Sequence, residues 1–509
     1  MRIAELTDRY RRNTSAAVVE IDARGGRRRL THSELYALAR SRADQLHAAG
    51  VAAGHLIGIR AAGGLDWISW DLAAVMTGAV LKAFPDDTPI EDAEEFVARH
   101  ALALLITDHA PAGALPYVIG PADVPGEKVV PATASQEDPG DLHSLVYSSG
   151  TSGRLKGLRV SAKGTEYVIN RFVESFAVTA EDRHLIFLPL SNYQQRLSLY
   201  CCLWTGADLV LAPFQRVFPA IAEERPTFLI GPPVFYDTAL QLHRKTGGGA
   251  SLGDFLGGRI RFSITGMAPI RRETLGAFAA AGVRLLEAYG MTESGMIAWN
   301  TEQDHRIGSV GKLIDPQAVT FLPDGELIIR RPAPLSTGYF DTGGDAADGT
   351  YRADGSIVTG DYGRLDADGF LTLVGRKKDV IALGSGRKVH PAEIEGFFAG
   401  VDGIAELIVV PTPQSQRLGA IVTPSGPDAP EARERIRQGI EQVNRSLDAH
   451  QRIASVVFSA QPLRADPRFM TANLKLSRGR AADFFADAVA APGTAPDHGP
   501  VATPRGRQA

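Results

Sequence analysis

The chain has 509 residues, of which 44% are hydrophobic and 22% are charged, an ordinary composition for a globular protein. A chain of this length is too long to fold around one compact hydrophobic core, so we expect two or more domains. The net charge of −4, with acidic and basic residues mixed along the sequence, excludes the basic stripe that tracks a nucleic-acid backbone. We therefore expect a small-molecule substrate and no nucleic-acid partner.

Targeting and redox signals are weak in this sequence. The start, from Met1 to Asp8, has no apolar signal core, and no later run reaches the roughly 18 to 20 apolar residues that span a bilayer. We therefore expect a soluble cytoplasmic protein without a membrane partner. The two cysteines, Cys201 and Cys202, are adjacent within an apolar segment, which favours packing over a disulfide or a metal site.

Helical and strand patterns alternate along most of the chain. Residues Thr31 to Gly50 carry apolar side chains at near-helical spacing, and short apolar runs ended by Pro or Gly follow. These predicted strands are Leu56–Ile59, Leu102–Ile106, Leu185–Leu190, Asp208–Ala212, Thr227–Ile230 and Arg261–Thr265. Such alternation predicts a layered α/β fold.

The pattern changes at about Gly375, where a charged link and a glycine-rich turn predict the start of a second domain. This domain is expected to contain a helix near Pro391–Phe398, strands at Leu407–Val410 and Ala420–Thr423, and a long helix with Ile436 and Ile440 on one face. The predicted division is 1–374, 375–490 and a disordered tail at 491–509, which is too rich in Ala, Pro, Gly and Thr to build a core.

The segment Tyr147–Gly157 predicts a phosphate-binding loop, because it combines glycines, hydroxyls and a lysine directly after an apolar run. The predicted nucleotide-binding residues here are Ser148, Ser149, Gly150, Thr151, Ser152, Gly153 and Lys156. An ordinary Gly- and Ser-rich turn is the alternative for this segment taken alone. It is not the Walker loop of P-loop enzymes, since Lys156 is followed by Gly157 rather than Ser or Thr.

Three distant clusters accompany this loop: Glu287–Glu293, Thr359–Asp361 with Arg376, and Met470–Arg478. Together with the loop they resemble the adenylate-forming (AMP-binding) superfamily of acyl-CoA synthetases, peptide-synthetase adenylation domains and luciferases. The resemblance extends over most of the chain and is strongest to the long-chain acyl-CoA synthetase branch. It implies an α/β fold with a large N-terminal adenylation domain of several subdomains and a small α+β C-terminal domain that rotates on a hinge.

The resemblance also implies roles for individual residues around ATP and Mg²⁺. In the first cluster Tyr289 would stack on adenine, Thr292 would touch the α-phosphate, and Glu293 would bind the metal, while Gly290 and Met291 would also belong to the nucleotide site. A carboxylate suits this hard cation. The segment Gly266, Met267 and Ala268 resembles the turn that flanks adenine, with Met267 in place of a small residue.

The other two clusters complete this set. By resemblance, Asp361 and Arg376 would bind the ribose, and a carboxylate suits a vicinal diol because it offers acceptors and no competing donor. Lys475 would be the catalytic lysine, orienting the acid and stabilising negative charge in the transition state. Lys378 occupies the hinge position of the family, although a solvated charge is the alternative.

The predicted substrate-pocket residues are Asn192, Tyr193 and Tyr236. Asn192 stands where long-chain enzymes usually carry histidine, and the segment around it is polar. A long-chain fatty acid would need an apolar tunnel. The departure therefore favours a smaller or more polar acid.

The sequence thus predicts an ATP-dependent ligase that converts a carboxylic acid to an acyl-adenylate and passes the acyl group to a thiol, with CoA as the expected acceptor. The turn Gly384–Gly386 is compatible with CoA. The alternative is transfer to an amine in specialised biosynthesis, as in amide synthetases or, with nitrite as the acid, in arylamine modification. Any carrier protein would be separate, and a non-catalytic relative is disfavoured because Lys475 and Glu293 are kept.

Overall fold

The structure is a computed structural model that describes residues 1–109, 115–137, 140–149, 155–246, 249–340, 349–412, 417–470 and 476–490. Of residues 148, 149, 155 and 465 it describes the backbone alone. The chain divides into two compact units. The first contains Met1–Thr320, Ile328–Thr359 and Leu365–Thr372, and the second contains Phe321–Leu327, Gly360–Arg364 and the described residues from Leu373 onward.

The strands in chain order are β1 (Ala17–Ile21), β2 (Arg27–Thr31), β3 (Leu56–Arg60), β4 (Val80–Ala83), β5 (Leu104–Thr107), β6 (Val118–Ile119), β7 (Leu142–Ser149), β8 (Leu155–Ser161), β9 (Arg183–Ile186), β10 (Asp208–Leu211), β11 (Phe228–Gly231), β12 (Phe262–Thr265), β13 (Leu285–Met291), β14 (Gly295–Trp299), β15 (Lys312–Leu313), β16 (Val319–Phe321), β17 (Glu326–Ile329), β18 (Ser336–Phe340), β19 (Ile357–Leu365), β20 (Leu371–Arg376), β21 (Ile381–Ala382), β22 (Lys388–Val389), β23 (Ile404–Pro411), β24 (Leu418–Pro424) and β25 (Ile453–Phe458).

The α-helices are α1 (Ile3–Arg11), α2 (His32–Ala48), α3 (Leu65–Thr77), α4 (Ala93–Arg99), α5 (Ala162–Phe176), α6 (Tyr193–Thr205), α7 (Val217–Glu224), α8 (Pro233–Lys245), α9 (Leu252–Phe255), α10 (Arg272–Ala280), α11 (Pro391–Phe397), α12 (Pro430–Arg445), α13 (Arg478–Phe484) and α14 (Ala486–Ala490). Short 3-10 helices lie at Phe214–Arg216, Pro316–Ala318, Lys377–Asp379, Leu463–Ala465 and Pro467–Phe469. Within the described residues, no helix has both the length and the apolar character needed to cross a membrane.

Two large sheets organise the first unit. A nine-stranded sheet has the order β15-β14-β13-β12-β11-β9-β10-β1-β2, and its strands from β13 to β1 run parallel. A seven-stranded sheet has the order β18-β8-β7-β4-β3-β5-β6, and here β8 and β18 run antiparallel to their neighbours. Parallel strands joined through helices bury both sheet faces, which explains their nearly continuous apolar sequences.

The predicted helix at Thr31–Gly50 is observed as α2, and its start follows from a capping box. The Thr31 hydroxyl accepts a hydrogen bond from the Glu34 amide, and the Glu34 carboxylate accepts one from the Thr31 amide. Without these two side chains, the amides of Thr31 and Glu34 at the start of the helix would lack hydrogen-bond partners. Helical structure stops just before Gly50, whose φ of +89° is a conformation that glycine adopts at little cost.

A fully buried ionic network connects α3 with α6. The guanidinium of Arg196 pairs with the Asp71 carboxylate and donates to the Ser144 hydroxyl at 2.7 Å. The Tyr200 hydroxyl donates to the same Asp71 carboxylate at 2.7 Å. Arg196 and Asp71 are almost completely inaccessible to water, so their charges must be satisfied by each other and by hydrogen bonds.

The second unit has its own core. A three-stranded sheet, β23-β24-β25, packs its apolar face against Ile436 and Ile440 of α12 and Ile394 of α11. These helices and strands correspond to those predicted after Gly375, with bounds that differ by a few residues. The remaining strands of the chain form a four-stranded sheet, β16-β17-β19-β20, whose residues are divided between the two units, and the short ladder β21-β22.

Candidate active site

The predicted phosphate loop lies at the end of the hairpin formed by β7 and β8. Ser148 pairs with Lys156 across this hairpin, and Ser149 pairs with Leu155. The residues of the tip, from Gly150 to Arg154, lie outside the described residues, so Gly150, Thr151, Ser152 and Gly153 remain predictions. Gly157 is required for packing, since a Cβ there would lie 2.6 Å from the Phe340 ring.

Tyr339 on β18 contacts two predicted site residues with different parts of its side chain. The ammonium of Lys156 lies 4.9 Å from the centroid of the Tyr339 ring, a cation–π contact of about 0.5–2 kcal/mol. The Tyr339 hydroxyl donates a hydrogen bond to Glu293 Oε1 at 3.0 Å. The lysine of the phosphate loop and the predicted metal carboxylate therefore meet at one aromatic side chain.

The backbone of Glu293 is fixed by the same strand. The amide and the hydroxyl of Ser336 both donate to the Glu293 carbonyl oxygen, at 3.1 and 2.9 Å. The Ser336 hydroxyl also hydrogen-bonds with the hydroxyl of Tyr351, whose ring packs edge-on against Tyr339 at 5.0 Å. β18 thus holds both the main chain and the carboxylate of Glu293.

The chemistry of Glu293 fits Mg²⁺. Glu293 lies two residues after the end of β13 and is half-buried. A hard cation prefers the oxygen donors that its carboxylate offers. Among the described residues, no group of three or more His, Cys, Asp or Glu side chains could hold a metal ion. One carboxylate together with nucleotide phosphates is a usual way to bind Mg²⁺, so Glu293 would hold the ion against ATP, where it neutralises phosphate charge.

The predicted adenine-binding segments follow two neighbouring strands. Gly266 comes after β12, and a Cβ on it would lie 3.1 Å from the carbonyl oxygen of Ala288 on β13. Tyr289 is buried and pairs with Ala298 across a bulge that ends at Gly290. The structure therefore brings the turn at residues 266–268, which contains Met267 and Ala268, close to the Tyr289 strand.

Met267 adopts an unusual backbone conformation, with φ of +71°. This left-handed conformation is less stable by roughly 1–2 kcal/mol for a residue with a Cβ, whereas glycine adopts it at almost no cost. The strain lies in the turn beside the predicted adenine site. Strained residues often persist where function selects a particular geometry.

Next to Thr292 lies a small cavity of about 10 Å³, enough for one water molecule. Its walls are Tyr193, Gln194, Leu197, Met291, Thr292, Gly295, Met296 and Leu335. Gln194 contributes a side-chain amide to this largely apolar wall, and its Nε2 lies 4.0 Å from the sulfur of Met296. The predicted pocket residue Tyr193 and the phosphate-side residue Thr292 are thus brought together.

Tyr193 and Asn192 form the start of α6. The Asn192 side chain caps the helix by accepting from the Gln194 amide, which stabilises this N-terminus. The Tyr193 hydroxyl hydrogen-bonds with Thr165 at 2.7 Å, and the guanidinium of Arg196 lies 4.8 Å from its ring. Burial raises the pKa of Tyr193, so its phenol stays neutral.

Tyr236 lies in the apolar core beneath α8. It is fully buried, packs against Phe235 and Phe278, and donates its hydroxyl to the carbonyl oxygens of Leu229 and Ile264. As far as the described residues define the cavity beside Thr292, Tyr236 is not part of its wall.

Glu287, at the start of the first cluster, has an unusual protonation equilibrium. Burial raises its pKa to about 7, although its carboxylate accepts from the Gly308 amide at 2.8 Å and lies near the charge of Arg272. Burial opposes the charged form more strongly than these contacts favour it. This carboxyl therefore titrates near neutral pH.

The predicted ribose pair lies in the second unit. Arg376 Nε is 2.9 Å from Asp361 Oδ1, and Asp361 is buried while the Arg376 side chain is 41% exposed. Lys378 is exposed on the 3-10 helix that follows β20. Its neighbour Lys377 pairs with Glu326 at 2.7 Å.

Lys475 lies outside the described residues, but the chain on each side of residues 471–475 is described. Met470 and Leu476 form an antiparallel bridge, and the Ser477 amide donates to the Phe469 carbonyl at 2.7 Å. Arg480 donates to the Met470 carbonyl at 2.9 Å. The described residues on the two sides of this segment are therefore held together.

Sequence reasoning did not find Tyr339. It is separated from both of its partners along the chain, and a tyrosine in a strand is usually a packing residue. The antiparallel pairing of β18 with β8, which sets Tyr339 opposite Leu158, is what brings it to the site. No local pattern in the sequence indicates this pairing.

The chain is similar to known proteins in sequence and in fold. A curated relative, a ligase of Mycobacterium tuberculosis that joins a methyl-dioxo-octahydroindenyl propanoyl group to CoA, is 30% identical over 305 residues. The match covers 57% of this chain and 57% of that ligase, so it spans little more than half of the relative's length.

Solved structures share the fold. ATP-bound MatB from Rhodopseudomonas palustris superposes with a TM-score of 0.76 at 21% identity, covering 96% of this chain and 100% of that one. The amide bond synthetase McbA from Marinactinospora thermotolerans superposes with a TM-score of 0.73 at 20% identity, covering 95% and 99%. The predicted α/β fold with a large N-terminal and a small C-terminal domain is confirmed.

Family profiles match both parts of the chain. The profile described as AMP-binding enzyme matches residues 7–340, more than half of the sequence. The profile described as AMP-binding enzyme C-terminal domain matches residues 378–492. The chain therefore belongs to the family of AMP-binding enzymes.

Proposed function

We propose that the protein is an ATP-dependent ligase that activates a carboxylic acid as an acyl-adenylate and transfers the acyl group to CoA. The observation that carries this proposal is the contact of Tyr339 with both Lys156 and Glu293. A phosphate-binding ammonium and a metal-binding carboxylate at one side chain suit a magnesium-bound nucleotide triphosphate. The M. tuberculosis relative, itself a CoA ligase, supports the second step.

In the first step the acid's carboxylate oxygen attacks the α-phosphorus, and the bond to the β-phosphate oxygen breaks, so pyrophosphate leaves. Thr151, Ser152 and Lys156 would grip the β- and γ-phosphates, Thr292 would contact the α-phosphate, and Lys475 would orient the attack. Bound Mg²⁺ would neutralise charge on the phosphates. Preorganised donors of this kind stabilise the charge that develops at phosphorus.

The remaining predicted residues bind the rest of the nucleotide. Tyr289 would stack on adenine, and Asp361 with Arg376 would bind the ribose hydroxyls. In the second step the thiol sulfur attacks the acyl carbon, AMP leaves, and the thiol proton is released. Domain bounds at 1–374 and 375–490 and rotation about Lys378 between the two steps belong to this proposal.

The acid is small or polar. Support comes from Asn192, which stands where long-chain enzymes usually carry histidine, and from the polar segment around it. A long acyl chain would need an apolar tunnel. A site that hydrogen-bonds its substrate also rejects analogues that lack the polar group.

A second candidate keeps the adenylation step and transfers the acyl group to an amine. The polar side chains of Asn192 and Gln194 at the start of α6 favour it, and McbA, a protein of the same fold, is an amide bond synthetase. With nitrite as the acid, an arylamine would be the acceptor.

Under either candidate a carrier protein, if used, is a separate chain, and we propose that the enzyme acts in the cytoplasm, where ATP and CoA are available.

One experiment tests the adenylation step. Exchange of labelled pyrophosphate into ATP is measured with a panel of short, aromatic, amino-substituted and fatty acids and with nitrite. We expect exchange with a small or polar acid and much less with fatty acids. If no acid supports exchange above the Lys475→Ala variant, adenylation is excluded and a non-catalytic, nucleotide-binding role replaces it.

A second experiment identifies the acceptor. The active acid is incubated with ATP and either CoA or a set of amines, and the products are identified by mass spectrometry. A thioester with CoA supports the proposal. An amide or a diazo product without a thioester would establish the second candidate.

A further inference from the structure

We propose that Tyr339 is a positioning residue that prepares Glu293 for magnesium and holds Lys156 beside it until phosphate arrives. This inference rests on the proposed function, because it concerns the nucleotide site of the same reaction. It assigns a task to a residue that no motif of the sequence marks.

The hydroxyl of Tyr339 fixes the Glu293 carboxylate. It donates to Oε1 at 3.0 Å, while Ser336 holds the Glu293 carbonyl at 2.9 and 3.1 Å. A carboxylate offers about four acceptor positions, so one hydrogen bond leaves most of them available to a metal ion. Partners that orient a metal ligand in this way typically change metal affinity by about 10- to 100-fold when they are removed.

The ring of Tyr339 acts on Lys156. An ammonium over an aromatic face is held less strongly than one paired with a carboxylate or phosphate at close range. The contact at 4.9 Å therefore keeps Lys156 near the phosphate site and releases it when a phosphate enters.

The geometry of β18 makes this arrangement specific. Tyr339 lies opposite Leu158 in the antiparallel pairing with β8, two residues beyond Lys156 along that strand. Tyr351 packs on Tyr339 at 5.0 Å and hydrogen-bonds with Ser336 through its own hydroxyl. Tyr167 on α5, whose hydroxyl donates to the Asp315 carboxylate at 3.5 Å, provides a control for loss of a phenol-to-carboxylate hydrogen bond at another position.

The test measures ATP binding by calorimetry, with and without Mg²⁺, in the full chain. The ratio of the two dissociation constants gives the magnesium enhancement without any turnover. We expect Tyr339→Phe to lower this enhancement on the order of 10-fold, and to leave binding of ATP without magnesium within about 2-fold because the ring remains. Tyr167→Phe should change neither quantity.

A double-mutant cycle separates this effect from general disturbance. Glu293→Gln should abolish the enhancement, and adding Tyr339→Phe to it should cause no further change, because the two side chains act as one unit. An unchanged enhancement in Tyr339→Phe, an equal loss in Tyr167→Phe, or no enhancement in the unmodified protein would overturn the inference. Failure of the proposed function would instead appear as absent pyrophosphate exchange, which this binding measurement does not use.

Discussion

The guanidinium of Arg376 is paired with the buried carboxylate of Asp361, with Arg376 Nε 2.9 Å from Asp361 Oδ1. The two residues lie on neighbouring strands, β19 and β20, of the four-stranded sheet. We propose that the pair receives the ribose hydroxyls of ATP.

Changing Asp361 to Asn should therefore weaken ribose recognition. An amide oxygen accepts more weakly than a carboxylate, and the new amide group adds a donor where the ribose also donates, so we expect KM for ATP to rise on the order of 10- to 100-fold. The unmodified enzyme should prefer ATP over 2′-deoxy-ATP, and the variant should lose much of that preference. Asp368→Asn, an exposed carboxylate of the first unit paired with Arg306, is the control and should retain it.

Loss of the predicted catalytic lysine should separate binding from chemistry. We expect Lys475→Ala to lower pyrophosphate exchange on the order of 100-fold or more, because a preorganised charge is lost in the transition state. The dissociation constant for ATP should stay within a few-fold. Lys245→Ala removes an exposed lysine at the end of α8 and should leave exchange intact. Unchanged exchange in Lys475→Ala would refute the assignment.

The hinge proposal distinguishes the two half-reactions. Proline at position 378 fixes φ and removes an amide hydrogen, so it should hinder rotation. We expect Lys378→Pro to retain pyrophosphate exchange and to lose product transfer, measured by single-turnover formation of the thioester. Lys378→Ala removes the charge and keeps the backbone free, so both steps should survive. Survival of both steps in the proline variant would show that residue 378 is not the hinge.

The backbone at Met267 makes a prediction about stability. Because φ is +71°, glycine should be more stable than alanine here, the reverse of the usual order. Both substitutions remove the same side chain, so their comparison isolates the backbone term, which we expect to be about 1 kcal/mol in favour of Met267→Gly over Met267→Ala. Thermal unfolding midpoints of the two variants measure it. A higher midpoint for the alanine variant would contradict the strained conformation.

The raised pKa of Glu287 makes a prediction about pH. A folded-state pKa of about 7 lies above the ordinary value of 4.5, so the unfolded chain loses this proton first as pH rises. Stability is therefore fully present below about pH 4.5 and falls until about pH 7, by about 3 kcal/mol at most.

Glu287→Gln keeps an acceptor for the Gly308 amide and removes this titration. The unfolding midpoint of Glu287→Gln should accordingly match that of the unmodified protein near pH 4.5 and exceed it at pH 8. Glu181→Gln, at an exposed position, should follow the unmodified protein throughout. Parallel pH profiles for Glu287→Gln and the unmodified protein would refute the shift.

Much of the fold could be predicted from local sequence. The apolar runs at Leu56–Ile59 and Asp208–Ala212 became β3 and β10, because a short apolar run bounded by breakers suits a buried parallel strand. The strand predicted at Leu185–Leu190 is observed as β9 at Arg183–Ile186, so the predicted bounds lie too far along the chain. The end of β9 is set by its pairing with β10 and β11, and the local sequence pattern carries no information about that pairing.

The site was predicted in part. Motif residues such as Asp361 and Arg376 could be paired in advance because a family pattern fixes both of them. Tyr339 could not, since its position depends on the pairing of β18 with β8. Glu287 was named only as the start of a motif, and its raised pKa follows from burial that the sequence does not reveal.

The network of Asp71, Arg196 and Tyr200 bears on how this enzyme could be redesigned. Helix α6 directs Gln194 and Leu197 into the cavity wall, and directs Arg196 and Tyr200 into the charged core. Substitutions at the two wall positions would leave this ionic anchor of the helix in place. We propose that the acid preference of the enzyme can be varied there while the buried charges of α6 stay paired.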